Sequence, residues 1–291
     1  MKEISKLIIA YDGSKCADAM LKDLRWAGLP AAVEAIVATI AYVFLPPPED
    51  EVADSVISGP AAAMVRPSQL RATKAVQISL ALAEQAAARV KAEFPGWSVR
   101  AEAVGGTPVW ELINIAADLE ADLIAIGSHG HSSAGGRLIL GSVSQRVLYE
   151  APCSVRLARC VERRREGPIR ILVGFNGSAD AEAALNAVTL RSWPPGSEAR
   201  AISVGQTSSP HIGVVGERLR SAGLMASEVS RSGDPAAILS EEAENWGADS
   251  IFVGTRNIHG FQHLLHGSVS SAVAARAHCS VEVVRAGKSM A

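Results

Sequence analysis

Short apolar runs alternate along this chain with longer segments in which apolar residues recur every three or four positions. Runs of the first kind, rich in β-branched residues, predict strands, and the longer periodic segments predict helices. The predicted order in the first half is strand 6–11, helix 14–27, strand 35–44, helix 69–94, strand 99–104, helix 109–120, strand 123–127, helix 142–150 and strand 153–158. The second half repeats that order from residue 170 to residue 285 with shorter helices. Helices that alternate with buried strands predict an α/β fold with a parallel, doubly wound sheet.

Four motifs of the first half recur in the same order in the second half, which indicates an internal duplication. The pairs are LIIAYDGS (7–14) with ILVGFNGS (171–178), GTP (106–108) with GDP (233–235), LIAIGSHG (123–130) with SIFVGTRN (250–257), and GSVSQRVLYEAPCSV (141–155) with GSVSSAVAARAHCSV (267–281). We therefore predict one domain at 1–158, a linker at 159–168 and a second domain at 169–286. Three consecutive arginines in the linker are flanked by acidic residues, which favours a solvated connection over a nucleic-acid surface.

Composition narrows the functional classes. Apolar residues make up 48% of the chain and aromatic residues 4%, a balance that suits parallel strands covered by alanine-rich helices. A formal charge of −2 gives no electrostatic reason to expect nucleic acid or an anionic membrane as a partner. The start of the chain resembles no signal peptide, no apolar run is long enough to span a bilayer, and the four cysteines lack CxxC spacing. These features predict a cytoplasmic protein with reduced, inert thiols.

One stretch departs from the alternation of strands and helices. Three consecutive prolines at 46–48 are followed by acidic residues, by Gly59-Pro60 and by Pro67. Such a composition predicts an irregular insertion, either a variable surface loop or a lid over a ligand.

A glycine-rich loop at 127–142, G-S-H-G-H-S-S-A-G-G-R-L-I-L-G-S, connects the predicted fourth strand to the last helix. The start of a helix leaves N–H groups unpaired and bears the positive end of the helix dipole, so it can hold a phosphate. Gly127, Gly130 and Gly141 would let an anion approach the backbone, Ser142 could cap the helix or donate to an oxygen, and Arg137 could add charge. The same glycines could instead serve turns alone.

This spacing resembles that of the universal stress protein family, whose ATP-binding members have G-x2-G-x9-G-S/T after the fourth strand. The likeness covers nearly the whole chain and identifies it as a tandem, two-domain member. It implies two adenine-nucleotide-hydrolase-like domains, each with a five-stranded parallel sheet and adenosine across the carboxyl ends of the strands. By position, the nucleotide site of the first domain would comprise Asp12, Val43 of the second strand through its backbone, Gly127, Gly130, Gly141 and Ser142.

The second domain departs from the family pattern more than the first. The corresponding residues there are Asn176, Val204, Gly254, Asn257, Gly267 and Ser268. Asn176 replaces the strand-end aspartate and Asn257 replaces the second glycine, although Asn tolerates positive φ better than most residues. The first domain has ten residues between Gly130 and Gly141 where the family has nine. We expect nucleotide binding first in the first domain.

The resemblance implies a stress-response protein that binds ATP, with the magnesium that triphosphates usually bring, and that signals through shape or protein partners. Phosphoryl transfer needs a lysine, a metal-binding hydroxyl and a base, and only fragments of that set are present, so hydrolysis should be slow or absent. The alternative is a nucleotide-free interaction module of the same fold. His129, His131, His259, His263 and His266 lack cysteine or carboxylate companions, so no metal site is predicted. The last strands, 153–158 and 279–284, are apolar edges expected to pair as an internal pseudo-dimer, with a homodimer as a further option.

Overall fold

The computed structural model of the chain describes residues 3–43, 62–130, 140–160, 167–205, 212–255 and 269–286. The first half contains β1 (Lys6–Ala10), α1 (Lys15–Asp23), β2 (Glu34–Ala41), α2 (Ala62–Glu93), β3 (Ser98–Gly105), α3 (Pro108–Leu119), β4 (Leu123–Gly127), α4 (Ser142–Glu150) and β5 (Ser154–Ala158). The second contains β6 (Arg170–Gly174), α5 (Ala179–Thr189), β7 (Glu198–Val204), α6 (Ile212–Ser221), β8 (Met225–Arg231), α7 (Pro235–Trp246), β9 (Ser250–Thr255), α8 (Val269–Arg276) and β10 (Ser280–Arg285). A 3-10 turn, Leu24–Trp26, follows α1.

The strands of the described chain form one ten-stranded sheet in the order β3-β2-β1-β4-β5-β10-β9-β6-β7-β8. All pairs within each half are parallel, and β5 pairs with β10 in the antiparallel sense. The two halves therefore have the same strand order and meet at their last strands. This confirms the predicted fold of two tandem, five-stranded parallel α/β units packed as a pseudo-dimer.

Local sequence signals explain where the first helix of each half begins. The Ser14 hydroxyl accepts a hydrogen bond from the Ala17 amide at 3.1 Å, and Ser178 does the same for Ala181 at 3.2 Å. Each serine satisfies one of the amides that a helix start leaves without an acceptor. The central strand β4 is buried at all five of its residues, whereas the outer strands β3 and β8 are mostly half-buried or exposed. None of the described helices is long and apolar enough to cross a membrane.

Two predicted boundaries of the first half are wrong. The second strand ends at Ala41 rather than at residue 44, because its neighbour β3 ends at Gly105 and the Gly106 amide closes the ladder on the Ala41 carbonyl. The long helix begins at Ala62 rather than at residue 69, so Pro67 lies inside a helix and not in an irregular insertion. Ala62, Ala63 and Met64 favour the early start, although Pro67, as the sixth helical residue, lacks the N–H that would bond the preceding turn. Residues 44–61 of the predicted insertion lie outside the described residues.

A buried row of charged side chains occupies the centre of the β5–β10 junction. Arg156 of β5 and Glu282 of β10 face each other in the ladder, and each side chain is 1% exposed. Asp23, at the end of α1, lies 2.6 Å from Arg156, and Arg191 binds both carboxylate oxygens of Glu282. Burial on its own lowers the pKa of Arg156, but the carboxylates of Asp23 and Glu282 outweigh it and raise that pKa. The last strands, predicted as apolar edges, pair as expected but hold a buried charged pair at their centre.

Two further arginines bind the halves to each other at the ends of the β5–β10 junction. Arg159 follows β5 and donates from Nη2 to the Ala275 carbonyl at 3.0 Å, at the carboxyl end of α8. Arg285 ends β10 and donates from Nη2 to the Leu148 carbonyl at 2.8 Å, in the last turns of α4. The carboxyl end of a helix favours a cation. Each half thus supplies an arginine to the last helix of the other half.

Candidate functional site

Asp12 stands in the turn between β1 and α1. Its Oδ1 accepts a hydrogen bond from the Ser14 amide at 2.9 Å, and Gly13 between them has a φ of 76°. A side-chain oxygen that binds the amide two residues on forms an Asx turn, and glycine adopts positive φ at little cost. The sequence D-G-S therefore turns the chain tightly from the strand into a capped helix. Asp12 itself is exposed at the carboxyl end of β1.

Gly127, the last residue of β4, lies against the backbone at the start of α1. A Cβ on Gly127 would stand 2.9 Å from both the carbonyl carbon and the carbonyl oxygen of Cys16. Real Cβ atoms do not approach main-chain atoms so closely, and the backbone of a helix cannot give way as a side chain can. The space that a side chain would need at Gly127 is therefore filled by α1, and the glycine serves helix–strand packing.

Gly130 lies directly beside the Asp12 carboxylate. A Cβ on Gly130 would stand 2.7 Å from Asp12 Oδ2. The neighbouring His129 carbonyl lies 3.5 Å from the Ser14 hydroxyl, which also ties this stretch to the start of α1. Asp12 and Gly130 are 118 positions apart by their numbers in the chain, and they meet because β1 and β4 are neighbours in the sheet. The structure thus brings together two of the residues that the sequence assigned to one site.

The start of α4 lies against the same end of β4. Gly141 is the N-cap residue of α4, with extended backbone, and Ser142 is the first helical residue. The Gly141 amide donates to the Ser128 carbonyl at 2.9 Å, and the Ser144 hydroxyl donates to the Gly127 carbonyl at 2.7 Å. These bonds fix the amino end of α4 over the carboxyl end of β4, with the Ser142 side chain exposed. The cap is therefore Gly141, and Ser142 does not act as the capping hydroxyl that the sequence suggested.

Val43 lies two residues beyond the end of β2, so it follows the second strand rather than lying in it. The Tyr11 amide donates to the Ala38 carbonyl at 2.9 Å, so the ends of β1 and β2 remain side by side. Asp12, Val43 and Gly130 therefore all follow the carboxyl ends of neighbouring strands. Gly141 reaches the same end of the sheet through its bond to Ser128. Residues 131–139 of the loop, with Arg137 and His131, lie outside the described residues.

The second half reproduces part of this arrangement. Asn176 Oδ1 accepts a hydrogen bond from the Ser178 amide at 3.1 Å, the same turn that Asp12 forms. Gly254 of β9 lies even closer to a helix, since a Cβ there would stand 2.0 Å from the Asp180 carbonyl oxygen. Val204 is the last residue of β7. The remaining predicted residues, Asn257, Gly267 and Ser268, lie outside the described residues.

Three side chains beside this site were not assigned to it from the sequence. Ser128 is buried and its hydroxyl lies 3.0 Å from His129 Nδ1. Burial, and then the positive charge of Arg159, lower the pKa of His129, so the imidazole is neutral near pH 7. Arg159 is buried beyond the end of β5. The motif G-S-H-G gave the positions of Ser128 and His129, but their contact with each other and with β5 depends on tertiary structure.

No group of three or more histidine, cysteine or acidic side chains that could hold a metal ion occurs within the described ranges. His129 faces Ser128 rather than a cluster of ligands. His259, His263 and His266 fall in the undescribed stretch 256–268. The described part of the site offers one carboxylate, hydroxyl groups and backbone amides, a set that suits an anion with attached hydroxyl groups better than a protein-bound metal.

Comparison with known proteins agrees with this architecture. A universal stress protein of Mycobacterium tuberculosis is 28% identical over 300 residues, and one of Mycolicibacterium smegmatis is 27% identical over 309 residues, each alignment covering 96% of both chains. The crystal structure of a universal stress protein from Archaeoglobus fulgidus covers 98% of both chains with a TM-score of 0.66 and 20% identity, which shows the shared fold. The model of the Universal stress protein family matches residues 3–159 and 169–285. Because both halves match it, this chain belongs to the Universal stress protein family.

Proposed function

We propose that the first half binds ATP at the edge where Asp12, Gly130 and the start of α4 meet. The observation that supports this most directly is the contact of the Asp12 carboxylate with Gly130, at the carboxyl ends of the neighbouring strands β1 and β4. Open α/β sheets hold ligands outside the carboxyl ends of their strands. The nucleoside would lie between Asp12 and Val43, and the phosphates would lie toward Gly141 and Ser142.

The amino end of α4 would supply the attraction for the phosphates. The first amides of a helix lack partners within it, and the helix dipole places partial positive charge there. The Gly141 amide is bonded to the Ser128 carbonyl, so the amides from Ser142 onward are the ones that would meet an anion. The Asp12 carboxylate would repel a phosphate because both are negatively charged. It would instead accept hydrogen bonds from the hydroxyl groups of the ribose. One site could thus bind both ends of a nucleotide by different chemistry.

Asp12 in the first half and Asn176 in the second occupy equivalent positions after the first strand. They differ in charge but form the same turn. Asn176 forms the same turn as Asp12, with amide distances of 3.1 and 2.9 Å. The aspartate is therefore not required for the turn, and its negative charge is what distinguishes the first half from the second at this position. A hydrogen bond to a charged group is worth about 1.5–3 kcal/mol, compared with about 1 kcal/mol for a neutral one. We propose that the first half is the stronger site for this reason.

The protein would act as a ligand-dependent signalling component in a stress response, with slow hydrolysis or none. Efficient phosphoryl transfer requires a lysine, a metal held beside the γ-phosphate and a base that orients the nucleophile. The described edge around Asp12 presents hydroxyl groups, amides, the His129 imidazole and Lys15 at the start of α1, but no arrangement of them around a γ-phosphate and metal is assigned. Binding energy there would change the shape or the partners of the protein rather than drive turnover. Magnesium would accompany the triphosphate, held mainly by phosphate oxygens.

Isothermal titration of the purified full chain with ATP and magnesium tests the proposal. Asp12→Asn should weaken ATP binding about 2- to 30-fold, the equivalent of about 0.5–2 kcal/mol, because Asn preserves the turn and a neutral hydrogen bond but removes the charge. Gly130→Val should abolish the heat of binding, since its side chain must displace the Asp12 carboxylate. Far-UV circular dichroism and the melting temperature should stay near those of the parent protein in both variants.

Asn176→Asp is the matched control, because it makes the same exchange in the opposite direction in the second half. It should leave the affinity of the first site unchanged. A folded parent protein that gives no heat at millimolar ATP would refute the proposal and favour the nucleotide-free interaction module. Rapid phosphate release would instead show that the protein is an enzyme.

A further inference from the structure

Two of the four cysteines come together beside the candidate site, although they are far apart in the chain. Cys16 is the second residue of α1 and is buried, and its backbone packs on Gly127. Cys160 follows β5 by two residues and is exposed. The register pairs Gly127 with Ala158, and the Ser128 amide donates to the Ala158 carbonyl at 2.8 Å. The end of β5 therefore runs toward the first turn of α1.

The side chains of these two cysteines are within hydrogen-bonding reach of each other. The Cys16 thiol also lies beside the Ser128 hydroxyl and the His129 backbone. Cys16 is buried, whereas Cys160 is exposed to solvent. An oxidant in solution can thus reach one sulfur of the pair first.

The other two cysteines provide a contrast within the same chain. Cys153 and Cys279 are both buried, and they occupy equivalent positions just before β5 and β10. Burial raises the pKa of each of these thiols to about 12, so both are protonated and unreactive near neutral pH. The prediction of inert thiols thus fits this pair, whereas the contact between Cys16 and Cys160 sets the other pair apart.

We propose that Cys16 and Cys160 form a redox pair that closes into an intramolecular disulfide in the presence of a hydroperoxide. The peroxide oxygen is transferred to the exposed Cys160 sulfur, which gives a sulfenic acid and releases water or an alcohol. The Cys16 sulfur then attacks the Cys160 sulfur, the S–O bond breaks, and the oxygen leaves as water with the proton of the Cys16 thiol. Two thiols are oxidised, one peroxide is reduced, and a thiol reductant reverses the step.

The order of these steps follows from the surroundings of each sulfur. Burial, and then the neighbouring Cys160, raise the pKa of Cys16 to about 12. Cys16 is therefore a thiol until Cys160 has been oxidised, and it acts as the resolving partner. The closed disulfide would join the first turn of α1 to the segment after β5, directly behind Gly127. It would fix the start of α1, which directly follows the turn that contains Asp12.

Peroxide titration of the purified full chain, followed by alkylation and peptide mass spectrometry, tests the proposal without any nucleotide. We expect a linked Cys16–Cys160 peptide pair, two hydrogens lighter than the reduced pair, that dithiothreitol restores. Cys160→Ser should abolish the link. In Cys16→Ser the sulfenic acid at Cys160 should persist, so that its trapping by dimedone rises severalfold over the parent protein.

Cys153→Ser is the matched control, and it should form the Cys16–Cys160 link as the parent protein does. If Cys16 resolves the sulfenic acid, it should protect Cys160 from further oxidation. Equal formation of sulfinic acid at Cys160 in the parent protein and in Cys16→Ser would therefore overturn the proposal. So would a link that forms only between chains, seen as a dimer on non-reducing gels. Neither result depends on whether ATP binds, so failure here is distinct from failure of the nucleotide proposal.

Discussion

Replacement of Glu282 by leucine is expected to lower the free energy of unfolding by about 3–5 kcal/mol, because it leaves buried cations without their partner. Arg191 is 4% exposed and loses its only carboxylate among the described residues, while Arg156 keeps Asp23 alone. Breaking one side of a buried ion pair costs far more than an exposed pair is worth, which is about 0–1 kcal/mol. Urea denaturation followed by circular dichroism measures the change.

Glu150→Leu is the matched control for this prediction. Glu150 pairs with Arg146 one helical turn away, and the two side chains are 35% and 47% exposed. Its replacement should cost no more than about 0.5 kcal/mol. If Glu282→Leu is as mild as Glu150→Leu, the charged row does not hold the halves together.

The Arg156–Glu282 pair lies where the two halves meet, and this position explains why its two charges are opposite. The two residues are equivalent in the two halves, and they face each other across the antiparallel pair at the pseudo-twofold axis. Two identical halves would bring like charges together at that axis, buried and uncompensated. Opposite charges at this one position therefore favour the pairing of unlike halves over that of like halves.

Much of the fold could be predicted because its signals are local. Apolar runs, Ser caps and the repeated motifs lie within short windows, and the duplication allowed each half to support the interpretation of the other. Strand ends were less accurate, since β2 stops where its neighbour β3 stops and not where its own apolar residues end. The end of a strand depends on a partner that is distant in sequence.

The charged β5–β10 junction could not be predicted from the sequence for the same physical reason. Arg156 and Glu282 each look like single polar residues in apolar strands, and only the antiparallel pairing brings them into contact. The contact of Cys16 with Cys160 is equally long-range. Asp12 and Gly130 were assigned to one site by family resemblance, and the neighbouring positions of β1 and β4 explain why they meet.

The glycine near the carboxyl end of β4 and of β9 has a role that the motif alone does not reveal. Gly127 and Gly254 were both assigned to phosphate contact, yet each lies against the backbone at the start of the first helix of its half. A variant at either position would thus weaken the fold whether or not a nucleotide binds. Loss of ATP binding in such a variant would not identify a phosphate ligand, whereas the exchanges at Asp12 and Gly130 avoid this problem.

Gly254→Ala is accordingly expected to destabilise the protein by about 3 kcal/mol, the upper end of the usual cost of overpacking, without any ligand present. The new methyl group would stand 2.0 Å from the Asp180 carbonyl oxygen and 2.8 Å from the Ala181 amide nitrogen, so α5 must move away from the sheet. The midpoint of urea denaturation measures this loss. The difference in stability between this variant and the parent protein should be the same with and without a saturating concentration of ATP.

Gly213→Ala supplies the opposite expectation from the same chemical change. Gly213 lies in α6, and a Cβ there would meet nothing within 4 Å. Alanine favours a helix over glycine by about 1 kcal/mol, so this variant should be slightly more stable than the parent protein. Equal stability of Gly254→Ala and Gly213→Ala would show that β9 and α5 are not in close contact, and the glycine would then be better explained by a ligand than by the packing of a helix on its strand.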